Sequence, residues 1–324
     1  MEKIRIGIVG YGNVGRGAEK AVAAAQDMEL RAVFTRRDPA TLKLTVSQAP
    51  VLAVDDAEKM AGEIDVMLLC GGSATDLGTQ GPRFAATFNI VDSFDTHAKI
   101  PAYLAAIDAV AKSTTAIISS GWDPGLFSMM RVIFDAVLPE GGSYTFWGKG
   151  VSQGHSDAIR RIPGVLNAVQ YTVPIDSAVD AARSGAIHEL SARQKHLREC
   201  YVVAAPGADK AEIEATIKNM PNYFADYDTT VTFIDEGEFA ANHTKMPHGG
   251  MVLRSGSTGG NKHVMEFSLN LESNPEFTGS ILAAYARAAY RMANEGIFGA
   301  KTVFDVPVAY LAPKARTELI KELL

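Results

Sequence analysis

The residues of this chain best suited to chemistry begin at Gly10-Tyr11-Gly12-Asn13-Val14-Gly15. Their spacing is that of a turn that lays bare backbone against a pyrophosphate. Gly10 takes the tight turn, Gly12 lets the backbone approach the phosphates, and Gly15 lets the following helix lie close on the preceding strand. Free N–H groups at that helix start, from Val14 onward, would face the phosphates. About twenty residues past such glycines an NAD-binding chain usually carries Asp or Glu, which accepts from the ribose 2′-hydroxyl. Thr35-Arg36-Arg37 stands here instead. Two guanidinium forks suit a 2′-phosphate and the usual carboxylate, whose charge would repel it, is missing from that place, so the expected cofactor is NADP rather than NAD. With the nicotinamide carrying the redox chemistry, the protein has only to orient a substrate and move a proton.

Further along, Asp92 and Asp123 follow successive strands toward the edge where the nicotinamide would lie. A carboxylate there could hold a cationic amine or take its proton, and the residues alone leave open which of the two is the base. The loops Cys70-Gly71-Gly72-Ser73-Ala74-Thr75 and Ser120-Gly121-Trp122-Asp123-Pro124 end strands on the side where doubly wound sheets bind ligands, and both are expected at the cofactor. The stretch from Gly148 to Asp157 reads as a loop with too many glycines and polar groups for packing alone. Its Ser152, His155, Ser156 and Asp157 make a poor nucleophile triad, because no G-x-S-x-G elbow is present. Arg198 can fork a carboxylate, and Thr172 and Met246-Pro247-His248-Gly249-Gly250 stand out beside it.

The elements that must position these groups follow from periodicity. Apolar, β-branched runs predict strands at Ile4–Val9, Leu30–Phe34, Val51–Val54, Ile64–Cys70, Asn89–Val91 and Thr115–Ser119. Helices are expected over about Val14–Ala25, Asp56–Gly62, Pro82–Phe88 and Ile100–Ala111. Strand and helix alternate, and Ile64–Cys70 is a near-continuous apolar run, so this half predicts a parallel, doubly wound α/β sheet of the Rossmann type. From Ser143 the pattern changes to strand-like segments, some alternating as in Met265–Leu271, with helices near Ala178–Ser184 and Asp209–Asn219. Those strand-like segments are Tyr144–Trp147, Val165–Val173, Cys200–Ala204, Thr229–Ile234, Met251–Arg254 and Val264–Leu271. That is a second, α+β domain with an antiparallel or mixed sheet, one face of which a second copy of the chain could cover, giving a homodimer. The long helix Phe277–Glu295 could pack back on the first domain. The expected division is 1–120 completed by 275–324 for the dinucleotide domain, and 121–274 for substrate binding and dimerisation.

Composition narrows the class. At 47% hydrophobic and 21% charged residues the chain is of ordinary globular type, and a net charge of −6 disfavours a nucleic-acid surface. No apolar run reaches the roughly eighteen residues of a membrane span, and Met1 leads straight into a core strand without a signal peptide, so a cytoplasmic location is expected. Cys70 and Cys200 read as buried thiols, one at a strand end and one near a strand start, and the histidines lack metal-ligand spacing, so no metal is expected.

Several longer stretches are similar to a known family. They are Tyr11-Gly12-Asn13-Val14-Gly15-Arg16, Thr35-Arg36-Arg37, Gly121-Trp122-Asp123-Pro124-Gly125, Phe146-Trp147-Gly148, Ser152 to Val165, Met220-Pro221-Asn222-Tyr223-Phe224 and Met246 to Gly250. Together they resemble meso-diaminopimelate dehydrogenases over nearly the whole chain, with Ser152 to Val165 the most specific part. The resemblance implies a homodimeric enzyme of lysine and cell-wall precursor synthesis. Its reaction would be the reversible, NADP-dependent oxidative deamination of the D-centre of meso-2,6-diaminopimelate to L-2-amino-6-oxopimelate and ammonia. It also implies Asp92, Trp122, Asp123, Trp147, Gln153 and Gly154 around the substrate, and Thr172, Arg198, His248 and Asn274 at the distal L-centre.

Three other readings fare worse. A dihydrodipicolinate-reductase-like enzyme would carry paired histidines followed by a lysine and a Gly-Thr turn, and that signature is missing. An aspartate-semialdehyde dehydrogenase needs a catalytic Cys in a loop, whereas both cysteines belong to strands. A protein that merely senses NADPH would not need Asp, Arg, His, Gln and Thr spread through the second domain.

Overall fold

The computed structural model describes residues 2–185 and 189–324. The chain forms two compact units, one running to Met129 and taking in Pro275–Leu324, the other Met130–Asn274. The first unit therefore extends past Ser120 and keeps the Gly121–Gly125 turn. Ser120 donates its backbone N–H to the carbonyl of Asp92, and Gly121 bridges to Gly125, so the turn is tied to the sheet behind it.

The first unit is built on strands β1 (Ile4–Val9), β2 (Met28–Thr35), β3 (Val51–Ala53), β4 (Val66–Leu69), β5 (Asn89–Asp92) and β6 (Thr115–Ile117). All pair in parallel, in the order 6-5-4-1-2-3, and the short strand Gly299–Lys301 adds to the β6 edge. This is the Rossmann order, whose reversal falls between β1 and β4. Every residue of β4 is buried, the pattern of a strand covered on both faces. The helix Asn13–Ala24 starts at the glycine turn and packs against the helix Asn274–Asn294 through small residues. A Cβ on Gly279 would lie 2.3 Å from the Gly17 backbone, so the two helices approach at backbone distance. Arg287 of the second helix closes the contact with a two-pronged ion pair to Asp27, at 2.5 and 2.8 Å. The helix expected at Pro82–Phe88 runs instead over Gly78–Ala85, with Pro82 inside it. Gly78 to Gly81 has no apolar periodicity, and a tertiary demand explains the glycine: a Cβ on Gly81 would sit 2.1 Å from the Tyr103 hydroxyl.

The second unit holds two sheets. In one, β7 (Gly141–Trp147), β12 (His248–Thr258) and β13 (Asn261–Leu271) pair antiparallel, with β12 central. In the other, β8 (Gly150–Val151), β9 (Val165–Pro174), β10 (His196–Ala204) and β11 (Asp228–Phe233) lie in sequence order, and only β10 and β11 are parallel. One face of β9–β10–β11 packs Ala168, Cys200 and Val202 against Ile159, Ile213 and Phe224. The opposite face buries Val169, Tyr171 and Val203 with Phe239.

Three expectations change here. The polar stretch taken as a loop is β8 followed by the helix Gln153–Arg160, because Ser156 and Ile159 turn inward beneath β9. Cys200 sits in the middle of β10, not near its start, since the polar residues His196 and Arg198 are themselves buried strand residues. Cys70 is half-buried, unlike the buried Cys200.

Candidate active site

The glycine turn fits a dinucleotide phosphate. Gly10 has φ +88°, a conformation that favours glycine, and a Cβ on Gly15 would meet the Gly10 carbonyl oxygen at 2.2 Å. A Cβ on Gly12 would meet nothing within 4 Å, so the chain itself leaves the ground above that residue open. No side chain caps the helix that follows and no acidic residue occupies its first turn, which leaves the positive end of the helix suited to an anion.

At the end of β2, Arg37 donates to the Tyr11 carbonyl at 2.6 Å, and its backbone N–H donates to the Thr35 hydroxyl at 3.1 Å. Arg36, two-thirds exposed at 68%, pairs with Asp76 at 2.8 Å. The other Asp76 oxygen accepts from the Gly72 N–H at 3.0 Å, so one carboxylate ties the Gly71–Gly72 loop to the arginine pair. Thr35, Arg36 and the loop after β4 thus gather at the carboxyl edge of the sheet, with charge suited to a phosphorylated ribose.

Sequence reasoning missed Glu19, a fully buried residue of the helix beneath this turn. It accepts from the Tyr11 hydroxyl at 2.5 Å and from the N–H groups of Thr45, Val46 and Ser47 at 3.1, 2.9 and 2.8 Å. Burial alone would push its carboxyl up, but those four donors outweigh it and hold the group below the usual glutamate range. Glu19 therefore fixes both Tyr11 and the segment 45–47. Its only sequence signal is an acidic residue on a helix face that is otherwise glycine, alanine and valine.

At the ends of β5 and β6, Asp92 has no exposed surface. Its oxygens accept from the N–H groups of Phe94 and Ser119 at 2.9 and 3.0 Å and from the Tyr103 hydroxyl at 2.7 Å. Burial pushes the Asp92 carboxyl up, with these bonds opposing it, and burial beside that carboxylate pushes the Tyr103 phenol up, so Tyr103 remains a donor. Asp123 is half-buried in the Gly121–Gly125 turn, and Trp122 stands edge-on to Phe127 with ring centres 5.2 Å apart. The two carboxylates expected to share one task thus differ sharply in access.

In the second unit, Arg198 and Thr172 are register partners on β10 and β9, and the guanidinium donates to the Thr172 hydroxyl. The Tyr227 ring lies 3.9 Å beneath that guanidinium. Both Arg198 and Thr172 are buried, yet the Arg198 Nε has no hydrogen-bond partner among the described residues. Burial, in part offset by Tyr227, lowers the Arg198 pKa, the direction expected of a shielded cation with no carboxylate beside it.

Gln153 and Asn274 meet at a third residue, Met246. Gln153 Nε2 lies 3.1 Å from its sulfur, and the Asn274 N–H donates to its carbonyl at 3.0 Å. His248 begins β12 half-buried, its Nδ1 2.7 Å from the Gly249 N–H, and a Cβ added to Gly154 would meet nothing within 4 Å. Trp147 donates its backbone N–H to His196 Nε2 at 2.8 Å and stacks on that ring at 5.4 Å. Burial, with Lys195 and Arg198 nearby, pushes His196 down to about 3, so it stays neutral and able to accept. His155 bonds Ser152 at 2.7 Å and packs edge-on to Tyr223 and Phe224. Burial and Arg198 push it down to about 4. His196 gave no sequence signal, because its role depends on the pairing of distant strands.

Burial pushes the thiols of both Cys70 and Cys200 up to about 12, which leaves neither in its nucleophilic form near neutrality. No described helix is long and apolar enough to cross a membrane.

Comparison with known proteins agrees with this geometry. A family model for the diaminopimelic acid dehydrogenase C-terminal domain matches residues 121–273. The chain is 64% identical to the meso-diaminopimelate D-dehydrogenase of Ureibacillus thermosphaericus over the full length of both. Among solved structures it is similar to the Corynebacterium glutamicum diaminopimelate dehydrogenase in complex with DAP, with 46% identity, full coverage of both chains and a TM-score of 0.92. It is similar also to an engineered D-amino acid dehydrogenase bound to NADP+, with 45% identity, 99% and 100% coverage and a TM-score of 0.87. A likeness this high, running from end to end and joined to a Rossmann unit and a buried arginine site, shows that the chain belongs to the meso-diaminopimelate D-dehydrogenase family.

Proposed function

We propose that this chain oxidises the D-configured centre of meso-2,6-diaminopimelate, reversibly, to L-2-amino-6-oxopimelate and ammonia with NADP as the hydride acceptor. In the balanced reaction the substrate ammonium, NADP+ and water give the ketone, ammonium, NADPH and one proton. The observation that carries this reading is Arg198, buried, stacked on Tyr227 and bonded to Thr172, with a shielded Nε that no acceptor among the described residues reaches. A guanidinium held in this way is costly unless an anion completes it. The distal carboxylate of a diaminodicarboxylate is such an anion, while His248, which opens β12, and Asn274, whose N–H donates to the Met246 carbonyl, would meet the rest of the L-centre.

Hydride can leave the D-carbon only once its amine is neutral, so a group of the protein has to take a proton. Asp123 is the better placed of the two aspartates, being half-buried in its turn, whereas Asp92 is enclosed and saturated by three donors. We assign proton uptake to Asp123. Asp92 we assign to fixing the loops after β5 and β6, on which Asp123 and Trp122 are carried. Bound nicotinamide supplies the hydride-accepting carbon, and Gly10 to Gly15, Thr35, Arg36 and Arg37 would hold its dinucleotide, with preference for the 2′-phosphate. Cys70 to Thr75 and Ser120 to Pro124 would border it.

A homodimer goes with this reading, supported by Val132, Ile133 and Val137, which leave 52%, 44% and 65% of their surface exposed on one helix. Soluble monomers seldom leave such a stripe uncovered. A biosynthetic role in the cytoplasm accompanies it.

The test is spectrophotometric. NADP should be reduced when meso-diaminopimelate is added, much more slowly with NAD, and not with the L,L isomer, which has no D-centre. Equal rates with both isomers, or none with the meso compound, would overturn the proposal. Light scattering at micromolar concentration should report twice the chain mass, and a monomer alone would remove the dimer.

A further inference from the structure

Three strands carry the arginine site, and the proposed function accounts for side chains on only two of them. Arg198 on β10 is flanked in register by Thr172 on β9 and by Thr229 on β11, so the three side chains form a row on one face of the sheet. A donor inventory of that row does not balance within the protein. The Thr172 oxygen accepts from the Arg198 guanidinium and, at 3.4 Å, from Gln170 Nε2, which fills its two lone pairs and leaves its O–H to donate elsewhere. Arg198 Nε is shielded from solvent and has no acceptor among the described residues. Thr229 Oγ1 is shielded equally and has no hydrogen-bond partner among the described residues. The Tyr227 ring covers one face of the guanidinium at 3.9 Å, and the two threonines are its register partners on either side, where an acceptor can bond its edge.

Buried polar groups left open in this number cost stability and are rarely retained together without a ligand to satisfy them. We infer that Thr229 is a specificity-determining residue of this site. Its hydroxyl donates to the distal carboxylate of the substrate from the side opposite Thr172, while Tyr227 holds the guanidinium plane between the two. The inference rests on the reading of Arg198 as the carboxylate partner and adds to it a donor from β11. The carboxylate then receives hydrogen bonds from three adjacent strands, a number that a distal amide or methyl could not accept. An end group lacking the carboxylate would leave all three donors stranded.

The experiment compares Thr229→Val, which keeps the shape and removes the hydroxyl, with Thr229→Ser, which restores it. Arg198→Met is run beside them. All are assayed as full-length protein saturated with NADP, with meso-diaminopimelate varied. Loss of a charge-assisted hydrogen bond that is made equally in ground and transition states should raise KM about tenfold in Thr229→Val with kcat within about twofold. Thr229→Ser should bring KM back to within about twofold of the parent. Thr229→Ala gives the same readout should the valine variant fold poorly, and KM for NADP serves as the check on folding. The inference is overturned if KM for the diamino acid stays at the parental value in Thr229→Val while Arg198→Met still raises it. It is overturned equally if Thr229→Ser is as impaired as Thr229→Val, which would mark a packing role. If Arg198→Met leaves KM unchanged, the underlying reading of the arginine fails, whatever Thr229 does.

Discussion

Glu19 in the first unit and Arg198 in the second are both charged and both buried, and their surroundings are opposites. Glu19 is surrounded by donors from its own chain, four of them, and its ionised form is held below the usual glutamate range. Arg198 has the Thr172 hydroxyl, the Tyr227 ring and an Nε with no hydrogen-bond partner among the described residues. A buried charge that the chain itself saturates acts as a fastener: Glu19 pins Tyr11 and the segment 45–47 beneath the glycine turn. A buried charge that the chain leaves short is suited to recognition, because a ligand can complete it. Asp92, with its three donors, falls on the fastener side despite its place at a strand end, where sequence reasoning looks for chemistry.

The contrast can be broken most sharply at the arginine. Arg198→Met should cost about 2–5 kcal/mol in kcat/KM for meso-diaminopimelate, the usual loss when a buried charge pair is deprived of one partner. The thermal midpoint should hold or rise, since an uncompensated buried cation is replaced by an apolar side chain. A large drop in midpoint would place Arg198 among the fasteners.

Acid should separate the units next. Burial pushes His155 and His196 down to about 4 and about 3, from an ordinary 6.5, so both stay neutral in the fold near neutral pH. Their contribution to stability is complete above pH 6.5 and is lost as pH falls toward the folded values, because the unfolded chain takes up protons that the folded chain refuses. Each imidazole accounts for at most about 1.4 kcal/mol per pH unit. Glu19 and Asp27 of the first unit are held below their ordinary values, Asp27 by its bond to Arg287, and they weaken the fold only as pH drops below 4.5. Asp92, pushed up by burial, works in the opposite sense. Between pH 6.5 and 5, the protection of backbone amides from hydrogen exchange, relative to the intrinsic rate at each pH, should therefore fall in β7, β9 and β10 before it does in β1 and β4. His196→Gln should flatten that dependence. Equal loss of protection in both units would remove the distinction.

The smallest effect belongs to the acid. Glu19→Gln keeps the shape but turns an amide NH2 toward existing donors, and it should cost about 1–2 kcal/mol of stability. KM for NADP should rise with it, while KM for the diamino acid stays at the parental value. The reverse pattern would show that Glu19 acts on substrate rather than on the turn.

The Rossmann half was legible because its logic is local. Strand, glycine turn and helix follow one another within Ile4 to Ala24, and the arginines that replace the usual acid come at the end of the next strand. The apolar run at β4 likewise declares a strand covered on both faces. Legibility failed where an element answers to something distant. The helix Gln153–Arg160 looks like a loop until β9 is laid over Ser156 and Ile159. Gly81 looks like a helix breaker until the Tyr103 hydroxyl fills the space above it. Cys200 looks like the start of a strand because its polar predecessors are buried only by their neighbours across the sheet.

By itself the sequence determined the dinucleotide fold and the family, since each is encoded in residue types at fixed short spacings. The tertiary structure alone decided which charges are finished and which wait for a ligand. Thr172, Arg198 and Thr229 are far apart along the chain and become neighbours only through the pairing of β9, β10 and β11. Asp92 and Asp123 read as equals in one dimension and part company once three donors close around the first. Hydrogen-bond saturation is a property of the surroundings in space, and spacing along a chain does not contain it.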